Sequence, residues 1–344
     1  MPPQLERLPR FLLLDGPTPI QRLTRLERAI GGPDCPQIYV KRDDMMSVGG
    51  GGNKLRKLEF LLGEAVALKC DTCITVGGRQ SNHARLTAAA AARAGMSCEL
   101  VLTDVVSRND TAYQRNGNVL LDSLFGARIH HRSGDTDAVA SARERAEELR
   151  VAGRKVYVVG AGGSSPLGCL GYAACANEIA AQEKQLGLRF ERIVMPNGSS
   201  GTHAGLAAGL AAIGDRPSRL WSFNVLSPLA KTRETTLELA RQTSALLGLE
   251  KELGDEDIVV MDGQLGDGYG APTDEMFKAV RLVARSEGLL LDPVYGGKAF
   301  AGLIATIQNK VFRSDEAVLF VMTGGTPGLF AYEPAFNSNS SEQC

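Results

Sequence analysis

Short apolar runs of β-forming residues alternate with helical stretches along almost the whole chain, and this alternation limits the possible folds more than any other feature. Ile38–Lys41, Thr72–Val76, Glu99–Leu102, Val156–Val159, Ile193–Met195, 219–225, 257–261 and Ala317–Met322 read as strands. Between them the period is helical. Leu58, Leu61, Leu62, Ala65 and Leu68 recur at spacings of three and four, and an alanine-rich stretch runs to about Ala94. Further helices are expected over Asn118–Leu124, 136–151, 168–184, 232–247 and 273–287, the last bounded by Pro272 and Asp274 at its start and Gly288 at its end. Strand alternating with helix implies an α/β fold, with parallel sheets covered on both faces. At 344 residues and 44% hydrophobic, the chain is long enough for two domains. Residues 1–37, rich in proline, read as an irregular lead-in, His130 and His131 as loop residues, and the polar tail from Asn337 as disordered.

Ligands of such sheets sit beyond the carboxyl ends of the strands. There the chain carries Gly/Ser/Asn-rich loops at 49–53, 77–83, 197–205 and 323–328. Gly49–Gly52 are costly to order, which suits them to close approach of backbone or ligand. Lys54 follows in the first turn of a helix, where the macrodipole disfavours a cation, with Lys57 on the same face. Two lysines so placed suggest an anionic ligand or an amine kept neutral for chemistry; a solvated helix start is the alternative. Asn197–Gly205 runs from a strand into small residues and a helix, an arrangement that converges backbone N–H groups on a phosphate. It lacks GxxxxGK[ST], which argues against a nucleoside triphosphate. Residues 160–165 approach a dinucleotide fingerprint but place Ser165 where the third glycine belongs. A phosphate loop together with an unusually placed lysine points to pyridoxal 5'-phosphate. That cofactor needs a neutral lysine amine for a Schiff base, a phosphate cradle and a partner for its ring nitrogen. Burial or a neighbouring cation such as Lys57 would lower the amine's pKa.

Other classes are disfavoured. The net charge of −1 with no basic tract argues against nucleic acid as the main partner. No apolar run reaches membrane-spanning length and no signal peptide is evident, so a cytoplasmic protein is expected. The seven cysteines are scattered, and the lone Cys70–Cys73 CxxC spacing implies small buried side chains, with no metal.

From about Pro9 to Tyr332 the chain resembles the fold-type II pyridoxal-phosphate enzymes, and among them the D-cysteine desulfhydrase and 1-aminocyclopropane-1-carboxylate deaminase family. The resemblance rests on Gly51-Gly52-Asn53-Lys54-Leu55-Arg56-Lys57-Leu58-Glu59, Gln80-Ser81-Asn82-His83, Ser200-Gly201-Thr202-His203-Ala204-Gly205, Gly268-Tyr269-Gly270, Leu291-Asp292-Pro293-Val294-Tyr295 and Thr323-Gly324-Gly325. It implies two open, parallel-rich twisted sheets: a larger cofactor-binding domain from 1–59 and 166–336, and a smaller α/β domain over 60–165. It also implies a homodimer. Lys54 would carry the cofactor, while Lys57, Ser200, Gly201 and Thr202 would hold its phosphate, with Asn82 on the phenolic oxygen and Thr323 on the ring nitrogen. Ser81 and the Asn82–His83 backbone would hold the substrate carboxylate. Tyr269 and Tyr295 would flank the substrate, with Tyr295 moving a proton or meeting the leaving group. Lys298 also follows two glycines but stands in a motif that does not carry the cofactor in relatives.

Departures narrow the chemistry. Gly296 and Thr323 stand where the deaminases have Glu and Leu, which resembles the desulfhydrase side. Arg79 replaces a small or apolar residue; it would suit a second acidic group such as a sulfonate, or point away, or pair with Asp43 or Asp44. Thr326-Pro327-Gly328 departs slightly from the usual pattern. The resemblance therefore implies β-elimination from D-cysteine to pyruvate, sulfide and ammonia. The alternatives are L-cysteate sulfo-lyase, then cyclopropane ring opening, or a non-catalytic amino-acid-binding relative.

Overall fold

A computed structural model describes residues 3–338. Ten strands build two sheets. β1 (Ile20–Arg22), β2 (Gln37–Lys41), β7 (Phe190–Asn197), β8 (Leu220–Asn224), β9 (Val259–Met261) and β10 (Ala317–Val321) form one, in the order β1-β2-β10-β7-β8-β9. β3 (Thr72–Gly78), β4 (Ser97–Thr103), β5 (Arg128–Arg132) and β6 (Val156–Val159) form the other, in the order β5-β4-β3-β6. Every pairing is parallel except the edge pair of β1 with β2. Parallel strands can only be joined by crossovers, and the helices that make them cover the sheets.

The residues explain the elements. The Lys54–Ala67 helix buries Leu55, Leu58, Leu61, Leu62 and Ala65, each leucine adding roughly 2 kcal/mol of transfer free energy. Leu68, included in the expected apolar face, lies just past the helix end and is exposed. Ser165 caps the Pro166–Leu186 helix, which ends at left-handed Gly187. The Asp274–Glu287 helix has Thr273 as its cap and stops at left-handed Gly288.

Three expectations need correction. The lead-in is not irregular throughout: it holds short helices at Pro3–Arg7 and Thr24–Ile30, and β1 pairs with Tyr39–Lys41. The prolines only bracket these pieces, and buried Glu27 ties them together by accepting from Arg22 and from the N–H of Ile38. His130 and His131 lie in β5, where His130 bonds Glu99 at 2.7 Å. The Gly296–Gln308 helix went unread because two glycines open it, although Ala299, Phe300, Leu303 and Ile307 bury one face. A helix over Glu333–Ser338 takes in Asn337 and Ser338, and the rest of the expected tail lies outside the described residues. No helix among the described residues is long and apolar enough to cross a membrane.

The placement of the loops matters most. β2 leads to Asp43, β3 to Ser81, β6 to Ser164, β7 to Ser199 and β10 to Thr323, all at carboxyl ends. Both sheets therefore send their loops to one cavity.

Candidate active site

The cavity holds about 500 Å³ and is lined by residues of both sheets' loops. Of the residues the sequence singled out, Lys54, Ser81, Asn82, His83, Ser200, Thr202, Tyr269, Tyr295 and Thr323 line it. Gly201 begins the helix behind Ser200, while Lys57 sits beneath the loop and Arg79 lies outside.

Lys54 opens its helix, and its Nζ donates to Asn53 Oδ1 at 3.0 Å. Asn53 passes the link on: its Nδ2 donates to Thr202 Oγ1 at 3.0 Å and its backbone N–H to Thr323 O at 3.0 Å. The amine is thus fixed against two loops of the larger sheet. Burial holds its pKa well below that of a free lysine, Lys57 and Arg85 lower it further, and Asp292 opposes them. Arg56 and Glu59 of the same motif are anchors. Arg56 grips buried Asp43 with two hydrogen bonds of 2.9 and 2.8 Å, and Glu59 accepts the N–H groups of Leu13 and Leu14 at 2.9 Å each.

The four glycines do not make room for a ligand, since none of them lines the cavity. All have positive φ, and a Cβ on Gly51 would lie 2.0 Å from Asp44 O. They let the chain fold against its own backbone and deliver Asn53 and Lys54 to the wall.

The loop that the sequence marks for a phosphate is built from three places. Ser200 is held at φ 65°, a strained position for a residue with a Cβ, and leads into the Gly201–Ala212 helix. Lys57 Nζ donates to Ser164 Oγ at 2.9 Å and Gly162 O at 3.1 Å, and Ser164 Oγ meets Ser199 Oγ at 2.8 Å. Lys57 therefore reaches the loop through Ser164; burial lowers its pKa to about 8, leaving it mostly charged at neutral pH. A Cβ on Gly201 would come within 2.6 Å of Ser164 Oγ and 2.7 Å of Lys57 Nζ. The 160–165 stretch, legible only as an imperfect dinucleotide fingerprint, belongs to this loop, and nothing in sequence gave Ser164 this role; Ser199 lay within the expected Asn197–Gly205 stretch without a role of its own.

The smaller sheet supplies the facing groups. Ser81 caps the Asn82–Arg93 helix by accepting from Ala84 N–H at 3.1 Å, which leaves its own hydroxyl proton to donate elsewhere. His83 is buried and neutral, its pKa lowered to about 3 by burial and by Lys54 and Lys57. Its Nε2 lies 2.8 Å from Thr75 Oγ1, whose proton goes to Val159 O, so the ring donates there and Nδ1 has no partner.

Tyr269 and Tyr295 share a hydroxyl–hydroxyl hydrogen bond of 2.8 Å. Burial raises both pKa values, that of Tyr295 well above the ordinary phenol value. Each phenol thus keeps its proton and serves as a donor. Asp292 sets the turn that presents Tyr295, accepting the N–H groups of Val294, Tyr295 and Gly296 at 3.2, 3.0 and 2.6 Å. Lys298 is fully buried outside the cavity, donating to Leu265 O at 2.6 Å and Gly268 O at 3.1 Å. It latches the loop that carries Tyr269 and does not face the cavity.

Arg79 is corrected. Its guanidinium forms a two-point pair with Asp104, at 2.6 and 2.9 Å, outside the cavity. Asp43 and Asp44, its suggested partners, are already held by Arg56 and Arg42. No group of residues that could hold a metal ion occurs among the described residues, and Cys73 is buried as an apolar side chain.

These groups fit pyridoxal phosphate. The cavity offers a buried amine of lowered pKa at Lys54, a helix start crowded by Lys57 at Gly201, and an amide at Asn82 whose oxygen is already taken by Asn118 at 3.0 Å. The comparisons agree. The sequence profile of the family described as "Pyridoxal-phosphate dependent enzyme" matches residues 11–324. Proteins named D-cysteine desulfhydrase from Yersinia enterocolitica and Salmonella newport are 40% and 42% identical, each aligned over 96% of this chain and 98% of the relative. The crystal structure of an ACC deaminase homologue superposes with a TM-score of 0.86 at 37% identity, covering 97% of both chains. A fungal L-serine ammonia-lyase from Rhizomucor miehei shares the fold, with a TM-score of 0.67 at 16% identity.

Proposed function

Because this chain belongs to the pyridoxal-phosphate dependent enzyme family, we propose that it is a carbon–sulfur lyase that converts D-cysteine to pyruvate, sulfide and ammonia. The observation that carries the proposal is Lys54: an amine whose pKa burial and Lys57 hold well below that of a free lysine, on the wall of a cavity that also presents two protonated tyrosines. The near-full-length relatives named D-cysteine desulfhydrase support the substrate. So does Arg79, whose charge is spent on Asp104, leaving it no part in binding the sulfonate of L-cysteate. Gly296 in place of a glutamate disfavours cyclopropane ring opening.

Bound pyridoxal phosphate supplies an electron sink for the pair left when the α-proton departs. The rest falls to the protein. Lys54 would hold the cofactor, and its amine, when free, would take the α-proton. Ser81 Oγ and the Asn82 and His83 N–H groups at the helix start bind the substrate carboxylate. Tyr295 donates its proton to the departing sulfur, and Tyr269 orients that hydroxyl through the 2.8 Å bond between them. Thr202, Ser200 and the Gly201 N–H hold the phosphate, with Lys57 adding charge through Ser164. Asn82 would donate to the phenolic oxygen and Thr323 would bond the ring nitrogen. The larger domain comprises 1–59 and 166–336 and the smaller 60–165, in keeping with the residues each sheet draws on. The family resemblance supports a homodimer, and a cytoplasmic location is the expectation from the sequence.

An assay of 2-oxo-acid release, reading pyruvate from D-cysteine, L-cysteine and L-cysteate and 2-oxobutanoate from 1-aminocyclopropane-1-carboxylate, tests this. Sulfide and pyruvate in equal amounts from D-cysteine are expected. Release from L-cysteate alone would overturn the substrate, and binding of amino acids without release of pyruvate would overturn the enzyme.

A further inference from the structure

Behind the smaller sheet's side of the cavity lies a polar network that the proposed mechanism does not use. Gln80 Nε2 donates to the backbone carbonyls of Tyr113 and Asn116 at 2.6 and 2.8 Å. Carbonyls only accept, so the Gln80 amide can point only one way, with Oε1 toward Asn118, whose N–H it receives at 2.9 Å. Asn118 is fixed in the same manner. Its Oδ1 accepts from Arg85 at 2.8 Å, and its Nδ2 donates to Gln80 O at 2.9 Å and to Asn82 Oδ1 at 3.0 Å. Arg85, which cannot accept a hydrogen bond, lies 3.4 Å from the same Asn82 oxygen and anchors on Gly51 O at 2.8 Å. Gln80, Arg85 and Asn118 are all buried.

Each amide in this chain fixes the direction of the next. From it we infer that Asn118 is a positioning residue: by occupying Asn82 Oδ1 it obliges Asn82 to present its NH₂ group, a donor, to a ligand in the cavity. An unrestrained asparagine has no such preference, because its two ends are nearly isosteric and either fits the same space. For a cofactor with an anionic phenolic oxygen, the wrong end would replace a hydrogen bond with a repulsion. The inference rests on the reading that Asn82 contacts that oxygen. Nothing in sequence spacing marked Asn118, since it lies 36 residues from Asn82 on another helix.

The test titrates cofactor-free protein with pyridoxal phosphate, following the visible absorption band, for Asn82→Ala, Asn118→Asp and the double variant. Asn118→Asp keeps the bond to Arg85 but offers Asn82 no donor. Loss of one hydrogen bond to a charged group weakens binding by about tenfold. That is expected for each single variant, with the double variant within about twofold of Asn82→Ala, because Asn118 acts only through Asn82. Asn118→Leu, which has no buried charge, gives the same pattern if Asn118→Asp does not fold. Losses that multiply in the double variant, or a single Asn118 variant that binds like the native protein, would overturn the inference. If Asn82→Ala itself binds normally, the contact of Asn82 with the cofactor fails instead, and the positioning role with it.

Discussion

Asp122 gives the sharpest test of how the interior behind the cavity is charged. It is fully buried, both of its carboxylate oxygens lack a hydrogen-bond partner, and its pKa is raised from 3.8 to about 8 by burial, which Arg85 only partly offsets. An acid whose folded pKa lies above its unfolded value stabilises the fold fully only below the unfolded pKa. Between 3.8 and about 8 the unfolded chain ionises Asp122 and the folded chain does not, so stability falls as pH rises. The slope is about 1.4 kcal/mol per pH unit. Asn in its place has the same shape and no proton to lose. Urea unfolding of the native protein and Asp122→Asn at about pH 5.5 and pH 7.5 should therefore show the variant's relative stability improving by roughly 2 to 3 kcal/mol over the two units. A difference between the proteins that does not change with pH would mean that Asp122 is ionised in the folded chain at both values. That result would refute the reasoning.

Two further outcomes follow from the geometry. Arg79→Ala should change pyruvate release by less than about twofold and stability by about 1 kcal/mol or less, as measured by steady-state kinetics and thermal unfolding, because a partly exposed pair contributes little. Gly201→Ala should weaken pyridoxal phosphate binding by about tenfold or more in an absorbance titration, since the added Cβ meets Ser164 Oγ at 2.6 Å and Lys57 Nζ at 2.7 Å.

Much of the fold was legible because it rests on local signals. Periodicity located the helices at Lys54–Ala67, Asn118–Leu124 and Ala138–Val151, and the strands at β3, β4 and β6 to within two or three residues. β1 was not legible, because a three-residue strand has no period of its own and is made by its partner Tyr39–Lys41. At the site, Lys54, Ser81, Asn82, Thr202, Tyr269, Tyr295 and Thr323 came from motifs, and the cavity collects them. The roles of Ser164 and Asn118 came only from the structure, since each matters through a hydrogen bond to a residue 35 or 36 positions away. Arg79 shows the opposite failure. Its position in sequence beside Ser81 suggested the substrate, but the strand end turns its side chain to Asp104.

The most direct measurement of the central claim is to load the protein with pyridoxal phosphate, reduce it with borohydride and map the labelled peptide by mass spectrometry. The label is expected on Lys54 alone, with Lys54→Ala unlabelled and colourless. A label on Lys57 or Lys298, or a Lys54→Ala protein that still forms the visible band, would contradict it.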